Sequence, residues 1–324
     1  MNNDKDFLRR IDKAIAPDDE KEIIQFQRSM GFNYRQAIGE LIFLMVTCQP
    51  DISFPLIKLS QYSNTPASIH YEAVKQIFQY IEATIDDGIH YWRTTPNLNL
   101  PDLPLPIPQE PNNNAINIFD SDHIMHGTVD ADWGGDTKRQ KLVTGIIIHL
   151  AGGSILYKTK FQDTIAMSTT EAEFTAACNA GKAILYVRSI LNEIGLEQEK
   201  ATTLFIDNEG ALMMGNAQQP TRRTRHMDIK KFALIDWIEK ELIFMKRVAT
   251  KDNYSDQMTK ALGRTLHYRH NDYTLGKHRP RYADSVVRFN TNESEENTLS
   301  PKEQSTASLV DTLTSRGGYD ADGI

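Results

Sequence analysis

Four acidic residues between positions 130 and 256 stand where strands and helices are expected to begin or end. They are Asp130, Glu173, Asp207 and Asp256. Carboxylates that lie close together cannot all stay ionised without a counter-charge, because like charges raise one another's pKa. A divalent cation supplies that charge, and Mg²⁺ prefers oxygen ligands. Two such ions about 4 Å apart can support in-line cleavage of a phosphodiester, so these acids indicate metal-assisted phosphodiester chemistry.

The elements that must position these acids can be read between residues 125 and 265. A first strand leads into Asp130, and a hairpin is predicted by KLVTGIIIHL and SILYKT, which flank the turn at Gly152 and Gly153. A long amphipathic helix then ends at Gly195, and a short strand, TLFID, ends at Asp207. The full order is strand, strand, strand, helix, strand, helix, helix, strand, helix. This order predicts an α/β domain.

The topology of such a sheet would bring three of the acids together. Ligands of open α/β sheets collect beyond the carboxyl ends of strands. If the first strand pairs with its hairpin partner on one side and with TLFID on the other, Asp130 and Asp207 point at the same place. On the long helix, Ser168 and Glu171 have the S-x-x-E spacing of a capping box, which gives Glu171 a structural role. Glu173 has no such role, and we expect it at the edge of the sheet.

Each acid taken alone also has a purely structural interpretation. Asp256 could cap the last predicted helix, where the helix dipole favours a negative charge. Asp136 lies in a turn with two glycines. A continuing strand would put Asp132 on the same face as Asp130, but the glycines that follow indicate that the strand has ended. Asp132 and Asp136 are therefore assigned structural roles, whereas four acids at the ends of elements in one domain favour a site.

The N-terminal part of the chain predicts a separate helical region. In TPASIHYEAVKQIFQYIEA, Thr65 and Pro66 begin a helix whose apolar residues recur at helical spacing, and two more helices are predicted by YRQAIGELIFLMV and PDISFPLIKLSQY. Prolines then crowd the stretch TTPNLNLPDLPLPIPQEPNNN and force an extended path. We expect a helical region over 1–93, a proline-rich linker over 94–124, the α/β domain over 125–265, and a basic-aromatic arm with a disordered acidic tail over 266–324.

Composition and charge exclude several classes of protein. The chain has 324 residues, a formal net charge of -7 and two cysteines. Its longest apolar run, LIFLMVTC, is shorter than the roughly 20 residues of a membrane-spanning helix, and its start, MNNDKDFLRRIDKAIAPDDE, is too charged for a secretory signal. We therefore expect an intracellular protein, in a cytoplasmic particle or the nucleus, that is neither secreted nor bound to a membrane. The acidic balance argues against a simple nucleic-acid-coating protein.

The motifs of the second block together resemble one known family. In order along the chain they are VDADWGGD, the hairpin with its two glycines, STTEAEF, IDNEGAL, TRHMDIKKF and SDQMTKAL. This combination resembles the ribonuclease H domain of copia-type retrotransposon polyproteins, and it is specific where each piece alone would be weak. The first block, roughly residues 33 to 92, is similar to the segment that links polymerase to ribonuclease H in the same polyproteins. The resemblance implies a ribonuclease H-like mixed five-stranded sheet flanked by helices and preceded by a small helical polymerase-connection region.

The resemblance also implies an activity and a set of site residues. The activity is cleavage of the RNA strand of an RNA/DNA hybrid during reverse transcription, leaving 5'-phosphate and 3'-hydroxyl ends. Carried over position by position, the family's catalytic and metal-binding acids fall on Asp130, Glu173, Asp207 and Asp256. The implied cofactor is a pair of Mg²⁺ ions, which Mn²⁺ could replace. An aspartate at the last position argues against integrase-type relatives, which end in a glutamate.

The chain departs from the family's pattern in four respects. The polymerase palm and its paired aspartates are absent, so we expect no DNA polymerase activity from this chain. Gln49 stands where relatives usually carry arginine, and Ala83 stands where a glycine is common. The stretch VATKDNYSD lacks the histidine that many cellular ribonucleases H carry before the last aspartate, so release of the product would rely on another group.

Binding of a hybrid also requires cations, and the stretch PTRRTRHMDIKK supplies them. The predicted substrate contacts are Arg222, Arg223, Arg225, His226 and Lys230. Contacts from such residues to phosphates are independent of sequence and sensitive to salt, as suits an enzyme that must accept any hybrid. A solvated helix face is nearly as good an explanation for the lysines. The tyrosines and bases of HYRHNDYTLGKHRPRY predict an auxiliary strand-binding arm.

The sequence therefore predicts a metal-dependent endonuclease of a retrotransposon. Its predicted partners are an RNA/DNA hybrid and the polymerase part of the same polyprotein. The alternative is a catalytically inactive nucleic-acid-binding remnant of a decayed polyprotein. The intact acids favour the enzyme, and the missing palm favours the remnant.

Overall fold

The chain folds into a helical N-terminal block and a second block built on a sheet, as seen in a computed structural model. The described residues belong to one compact unit. They are residues 5–17, 19–91, 124–132, 142–162, 168–216 and 229–277. Most of the predicted linker and the whole of the predicted acidic tail therefore lie outside the described residues, and the predicted domain boundaries stay predictions.

The described part of the N-terminal block consists of helices packed around one apolar core. The helices are α1 (Lys5–Lys13), α2 (Glu20–Met30), α3 (Tyr34–Thr47), α4 (Ser53–Ser60) and α5 (Ser68–Ala83). A short 3₁₀ helix, Pro50–Ile52, leads into α4. The helix α5 begins two residues later than predicted, because the backbone N–H of Ala67 donates to Nδ1 of His70 at 2.8 Å and organises the first turn there. The core includes Leu41, Leu59, Tyr71 and Val74, all inaccessible to solvent.

The second block contains the predicted mixed sheet. Its strands are β1 (His126–Asp132), β2 (Val143–Leu150), β3 (Gly153–Phe161), β4 (Thr202–Ile206) and β5 (Ile243–Arg247). Their order in the sheet is β3-β2-β1-β4-β5. The first three strands are antiparallel, whereas β1 pairs with β4 and β4 with β5 in parallel. The hairpin between β2 and β3 turns at Ala151 and Gly152, both with positive φ, close to the predicted turn.

The helices of the second block pack on both faces of this sheet. They are α6 (Thr169–Glu193), α7 (Glu209–Gly215), α8 (Ile229–Glu239), α9 (Asp256–Thr259) and α10 (Arg264–Thr274). The long helix α6 ends as predicted, with Gly195 in the left-handed region at φ +80°. Its inner face joins Val129, Ile146 and Leu204 of the strands in one core. Within the described residues, no helix has the length and apolar character needed to cross a bilayer.

The sequence interpretation was wrong about the end of the first strand and about the last helix. The strand β1 continues to Asp132, which pairs with Val143, so the glycines do not end it earlier. The helix that begins at Asp256 is not the last one, because α10 follows it. The residues of α10 were assigned to a strand-binding arm, yet His270 and Thr274 are inaccessible to solvent. The remainder of that arm, residues 278 onward, lies outside the described residues.

Helix α10 packs against the N-terminal block through buried polar contacts. The carboxylate of Asp51, only 3% exposed, accepts a hydrogen bond from Nδ2 of Asn271 at 3.3 Å and another from the hydroxyl of Tyr80. The backbone N–H of His90 donates to the carbonyl of Leu275 at 2.7 Å. Because a buried polar group without a partner is costly, these contacts make the two blocks depend on each other's position.

One glycine allows α9 to approach the sheet at the place where Asp130 lies. Gly145 of β2 pairs with Asp130 of β1. A Cβ atom at Gly145 would lie 2.6 Å from Cβ of Met258, 2.8 Å from Cγ2 of Thr259 and 2.9 Å from the carbonyl oxygen of Ser255. No real Cβ fits at such distances, so glycine is required for this close packing of helix on sheet.

We predict that Gly145→Ala destabilises the protein, because the added methyl group would push α9 away from the sheet. The expected loss in the free energy of unfolding is about 1–3 kcal/mol, measured by urea denaturation. The matched control is Gly39→Ala on the exposed face of α3, where nothing lies within 4 Å of the new Cβ. Helix propensity should make that variant more stable by up to about 1 kcal/mol. Equal stability of the two variants would contradict the prediction.

Candidate active site

Three of the four predicted acids meet at one end of the central strands. Asp130 lies on β1, Glu173 on α6, and Asp207 directly after β4. Each offers a carboxylate oxygen, and these three atoms all lie within 4.8 Å of one another. Asp130 is 2% exposed and Glu173 is 6% exposed. The arrangement is a largely buried acidic cluster whose oxygens converge on one point.

The local folding of each element explains this convergence. Parallel pairing of Thr128 with Phe205 places the ends of β1 and β4 side by side, so Asp130 and Asp207 become neighbours. The Oγ of Ser168 accepts the backbone N–H of Glu171 at 3.1 Å, which begins α6 at the predicted residue. Glu173 then lies on the buried side of the helix. Ser168 therefore caps α6 as predicted, and Glu173 reaches the acidic cluster.

The fourth acid, Asp256, lies beside this cluster rather than within it. It begins α9 and is 2% exposed. Its Oδ2 lies 3.1 Å from Nζ of Lys260, and the same Nζ lies 3.7 Å from Oδ2 of Asp130. The hydroxyl of Thr259 donates a further hydrogen bond to Oδ2 of Asp130. Asp256 is therefore connected to the other three acids through Asp130 and a shared lysine.

The loop before α9 is held against β1 by two buried hydrogen bonds. The Oγ of Ser255 donates to Oγ1 of Thr128 at 2.6 Å, and Nδ2 of Asn253 donates to the carbonyl of Val129 at 3.0 Å. Both contacts join residues more than a hundred positions apart in the chain. They fix the start of α9, and with it the carboxylate of Asp256, relative to the central strand.

Burial and mutual repulsion dominate the electrostatics of the cluster. Burial, followed by the charges of Asp130 and Asp207, raises the pKa of Glu173 to about 9. Burial, followed by the charge of Asp130, raises the pKa of Asp256 to about 8. Burial also raises the pKa of Asp130, although Lys260 and Thr259 oppose that shift. In the cation-free protein these groups therefore hold protons at pH values where exposed carboxylates are ionised.

Lys260 carries the opposite charge in this environment. Burial lowers the pKa of its ammonium group, but the charges of Asp130 and Asp256 outweigh burial and the pKa is raised overall. The ammonium group therefore stays charged at neutral pH. The sequence interpretation did not identify Lys260 or Thr259, although SDQMTKAL places Lys260 four residues after Asp256, a spacing that brings two side chains together on a helix.

The residues of the cluster fit a hard divalent cation. Oε2 of Glu173 and Oδ1 of Asp256 are buried and have no hydrogen-bond partner in the described part of the chain. Such unpartnered oxygens are costly unless a ligand satisfies them. The convergent donors are all carboxylate oxygens, which Mg²⁺ and Mn²⁺ accept. Asp130, Glu173 and Asp207 could hold one ion, and Asp130 and Asp256 border the place for another.

The predicted substrate contacts cannot be placed in the site. Arg222, Arg223, Arg225 and His226 lie outside the described residues. Lys230 belongs to α8, but its side chain also lies outside them. The binding roles of these five residues stay predictions, as do the catalytic and metal-binding roles of the four acids.

The mixed five-stranded sheet with its flanking helices confirms the predicted ribonuclease H-like fold class. No protein-family model matches the chain. One similar solved structure is LC11-RNase H1, isolated from compost by a metagenomic approach. It matches 42% of this chain and 93% of its own length at 13% identity, with a TM-score of 0.32.

Two curated relatives are retrotransposon polyproteins. The chain is 29% identical over 231 residues to the Retrovirus-related Pol polyprotein from transposon TNT 1-94 of Nicotiana tabacum, covering 71% of this chain and 15% of that protein. It is 26% identical over 231 residues to the Retrovirus-related Pol polyprotein from transposon RE2 of Arabidopsis thaliana, covering 71% and 14%. These similarities confirm the resemblance to retrotransposon polyproteins. The chain spans about 15% of the length of these relatives.

We predict that stability in EDTA falls as the pH rises from about 7 to about 9. The folded protein binds protons at Glu173 and Asp256 more tightly than the unfolded chain does, because their pKa values are raised. Their contribution to stability is complete below the ordinary carboxyl pKa and is lost as the pH rises through about 8 to 9. Thermal melts across this range test the slope, and saturating Mg²⁺ should flatten it.

The buried histidines of the sheet do not change their protonation state in the folded protein over this pH range. Burial lowers the pKa values of His126 and His149, so both are neutral above pH 7 in the folded protein. Glu173→Gln should reduce the slope in EDTA, whereas Glu72→Gln on the exposed face of α5 should leave it unchanged. A melting temperature that is independent of pH in EDTA would contradict the prediction.

Proposed function

We propose that the chain is a metal-dependent endonuclease that cleaves the RNA strand of RNA/DNA hybrids during retrotransposon reverse transcription. The observation that carries this proposal is the convergence of Asp130, Glu173 and Asp207 within 4.8 Å, with Asp256 beside them. Buried acids at such distances have no evident structural purpose, and they destabilise the fold unless a cation is present.

The proposed mechanism assigns the four acids to holding two Mg²⁺ ions, with Mn²⁺ as a substitute. When bound, these ions supply an activated water and stabilise the leaving oxygen of the phosphodiester. Asp130 occupies the central position, because it converges with Glu173 and Asp207 and also shares Lys260 with Asp256. The hydrogen bond from Thr259 orients its carboxylate, and the buried setting of the cluster keeps bulk water from screening its charge.

The proposed substrate and partners follow the retrotransposon similarity. An RNA/DNA hybrid would bind along its phosphates to Arg222, Arg223, Arg225, His226 and Lys230. The helical block would contact the polymerase part of the same polyprotein, and the division into 1–93, 94–124, 125–265 and 266–324 belongs to this proposal. The protein would work inside the cell, in a cytoplasmic particle or the nucleus.

A cleavage assay with a labelled hybrid tests the proposed function. The full chain is incubated with a hybrid labelled on its RNA strand, in Mg²⁺ and in EDTA. We expect cleavage of the RNA only in Mg²⁺, and no cleavage of duplex DNA. Retarded migration of the hybrid without cleavage in Mg²⁺ would contradict the enzyme and support the inactive binding remnant.

We predict that Asp207→Asn abolishes Mg²⁺-dependent cleavage, a loss of roughly 100-fold or more, because it removes one charged ligand of the cation site. The variant should fold normally, since Asp207 is only partly buried and lies outside the apolar core. Asp86→Asn, at an exposed turn after α5, is the matched control and should keep full activity. Cleavage by Asp207→Asn at the control's rate would remove Asp207 from the site.

A further inference from the structure

Lys260 differs from an ordinary surface lysine in its contacts. Lys260 directly follows α9, and its Nζ lies 3.1 Å from Oδ2 of Asp256 at the start of that helix and 3.7 Å from Oδ2 of Asp130 on β1. The Lys260 side chain is 31% exposed, and each carboxylate is 3% exposed. A single ammonium group therefore bridges two buried acids that come from different elements of the fold.

A second lysine pair in the chain shows what an ordinary contact of this spacing looks like. Lys240 and Asp236 have the same four-residue spacing and lie 2.8 Å apart, but their side chains are 62% and 48% exposed. Exposed pairs of this kind contribute little, because solvent screens their charges. Lys260 lies in a buried acidic cluster instead, where charge interactions are much stronger.

The two sides of the cluster are consequently unequal. Among the described residues, Lys260 is the one basic side chain that forms an ion pair with any of the four acids. Its ammonium group lies on the side of Asp130 and Asp256. On the other side, Glu173 and Asp207 converge with Asp130 but form no ion pair with a basic side chain in the described part of the chain.

We propose that Lys260 is a built-in counter-cation that occupies the Asp130–Asp256 side of the site, so that a divalent cation binding there must first displace its ammonium group. The inference rests on the proposed metal site and adds the order in which the two ions bind to it. The first ion binds where Glu173 and Asp207 converge with Asp130, because Lys260 forms an ion pair with only one of these three acids. The second ion binds more weakly, because it competes with a cation that is already attached to its two ligands.

This arrangement also gives Lys260 a role in the cation-free protein. Four acids with at least three deeply buried carboxylates would repel one another strongly with no positive charge among them. Lys260 partly neutralises two of them. It is therefore a positioning residue that keeps Asp130 and Asp256 together until the second ion arrives, and it need not contact the substrate.

Calorimetric titration of the full chain with Mn²⁺ tests this inference. Mn²⁺ accepts the same oxygen ligands as Mg²⁺, and the protein is stripped with EDTA and dialysed beforehand. The variants are Lys260→Met, which keeps the apolar stem without the charge, Lys260→Arg, which keeps the charge, and Lys240→Met as the matched surface control. No substrate is present, so the readout is independent of activity.

We expect Lys260→Met to bind the second Mn²⁺ about tenfold more tightly or better than the wild-type chain, because the competing cation is gone. A second binding phase in the Mn²⁺ titration that is seen with Lys260→Met and not with the wild-type chain would support the inference equally. Lys260→Arg and Lys240→Met should bind as the wild type does. In EDTA, Lys260→Met should melt at a lower temperature than Lys240→Met, and saturating Mn²⁺ should remove that difference.

Several results would overturn the inference. An unchanged or weaker second phase in Lys260→Met would show that the ammonium group does not compete with a cation, as would a tighter second phase in Lys260→Arg. If the variants do not fold, a crystal structure of the wild-type chain with two Mn²⁺ ions tests the inference instead. The Lys260 ammonium group should then no longer contact both Asp130 and Asp256, and contact with both would contradict the inference. If the wild-type chain bound no Mn²⁺ at all, the proposed function itself would instead be refuted.

Discussion

The repulsion between buried carboxylates is the interaction on which the rest of this structure depends. Asp130, Glu173 and Asp256 are almost inaccessible to solvent, and Asp207 joins the first two within 4.8 Å. Burial and proximity raise the pKa values of three of these groups, so each proton or cation bound there is tied to the stability of the fold. A chain that retains such an arrangement gives up stability, as is typical of functional sites, and this supports the proposed cation site.

The surrounding fold restrains this repulsion through contacts between distant parts of the chain. Parallel pairing of β1 and β4 sets the separation of Asp130 and Asp207, and Gly145 leaves room for α9 to reach the sheet. Hydrogen bonds from Asn253 and Ser255 then fix the start of α9 against β1. The acids are thus held by rigid strands and helices rather than by loops, which is the arrangement that keeps a ligand set in place without a ligand.

The N-terminal block packs directly against a segment of the site, because α4 and the 3₁₀ helix Pro50–Ile52 contact α9, which begins at Asp256. It contacts α10, which follows α9 in the chain, through the buried carboxylate of Asp51 and its partners Tyr80 and Asn271. These polar contacts would be exposed and lost if the blocks separated. The block therefore supports the segment that carries Asp256 and Lys260, which gives a physical reason for the two blocks to occur together.

Local chemistry in the sequence determined the elements and the candidate acids of this protein. The Ser168 cap, the stop at Gly195 and the hairpin turn depend on neighbouring residues, so spacing alone predicted them. The meeting of Asp130 and Asp207 was predicted on the condition that the first strand pairs with both its hairpin partner and TLFID, and the sheet order meets that condition. The tertiary structure alone decided that β1 continues to Asp132, that one side of α10 is buried, and that Lys260 lies between Asp130 and Asp256. Those features arise from contacts between residues far apart in the chain, and no local pattern records which distant groups will share a buried space.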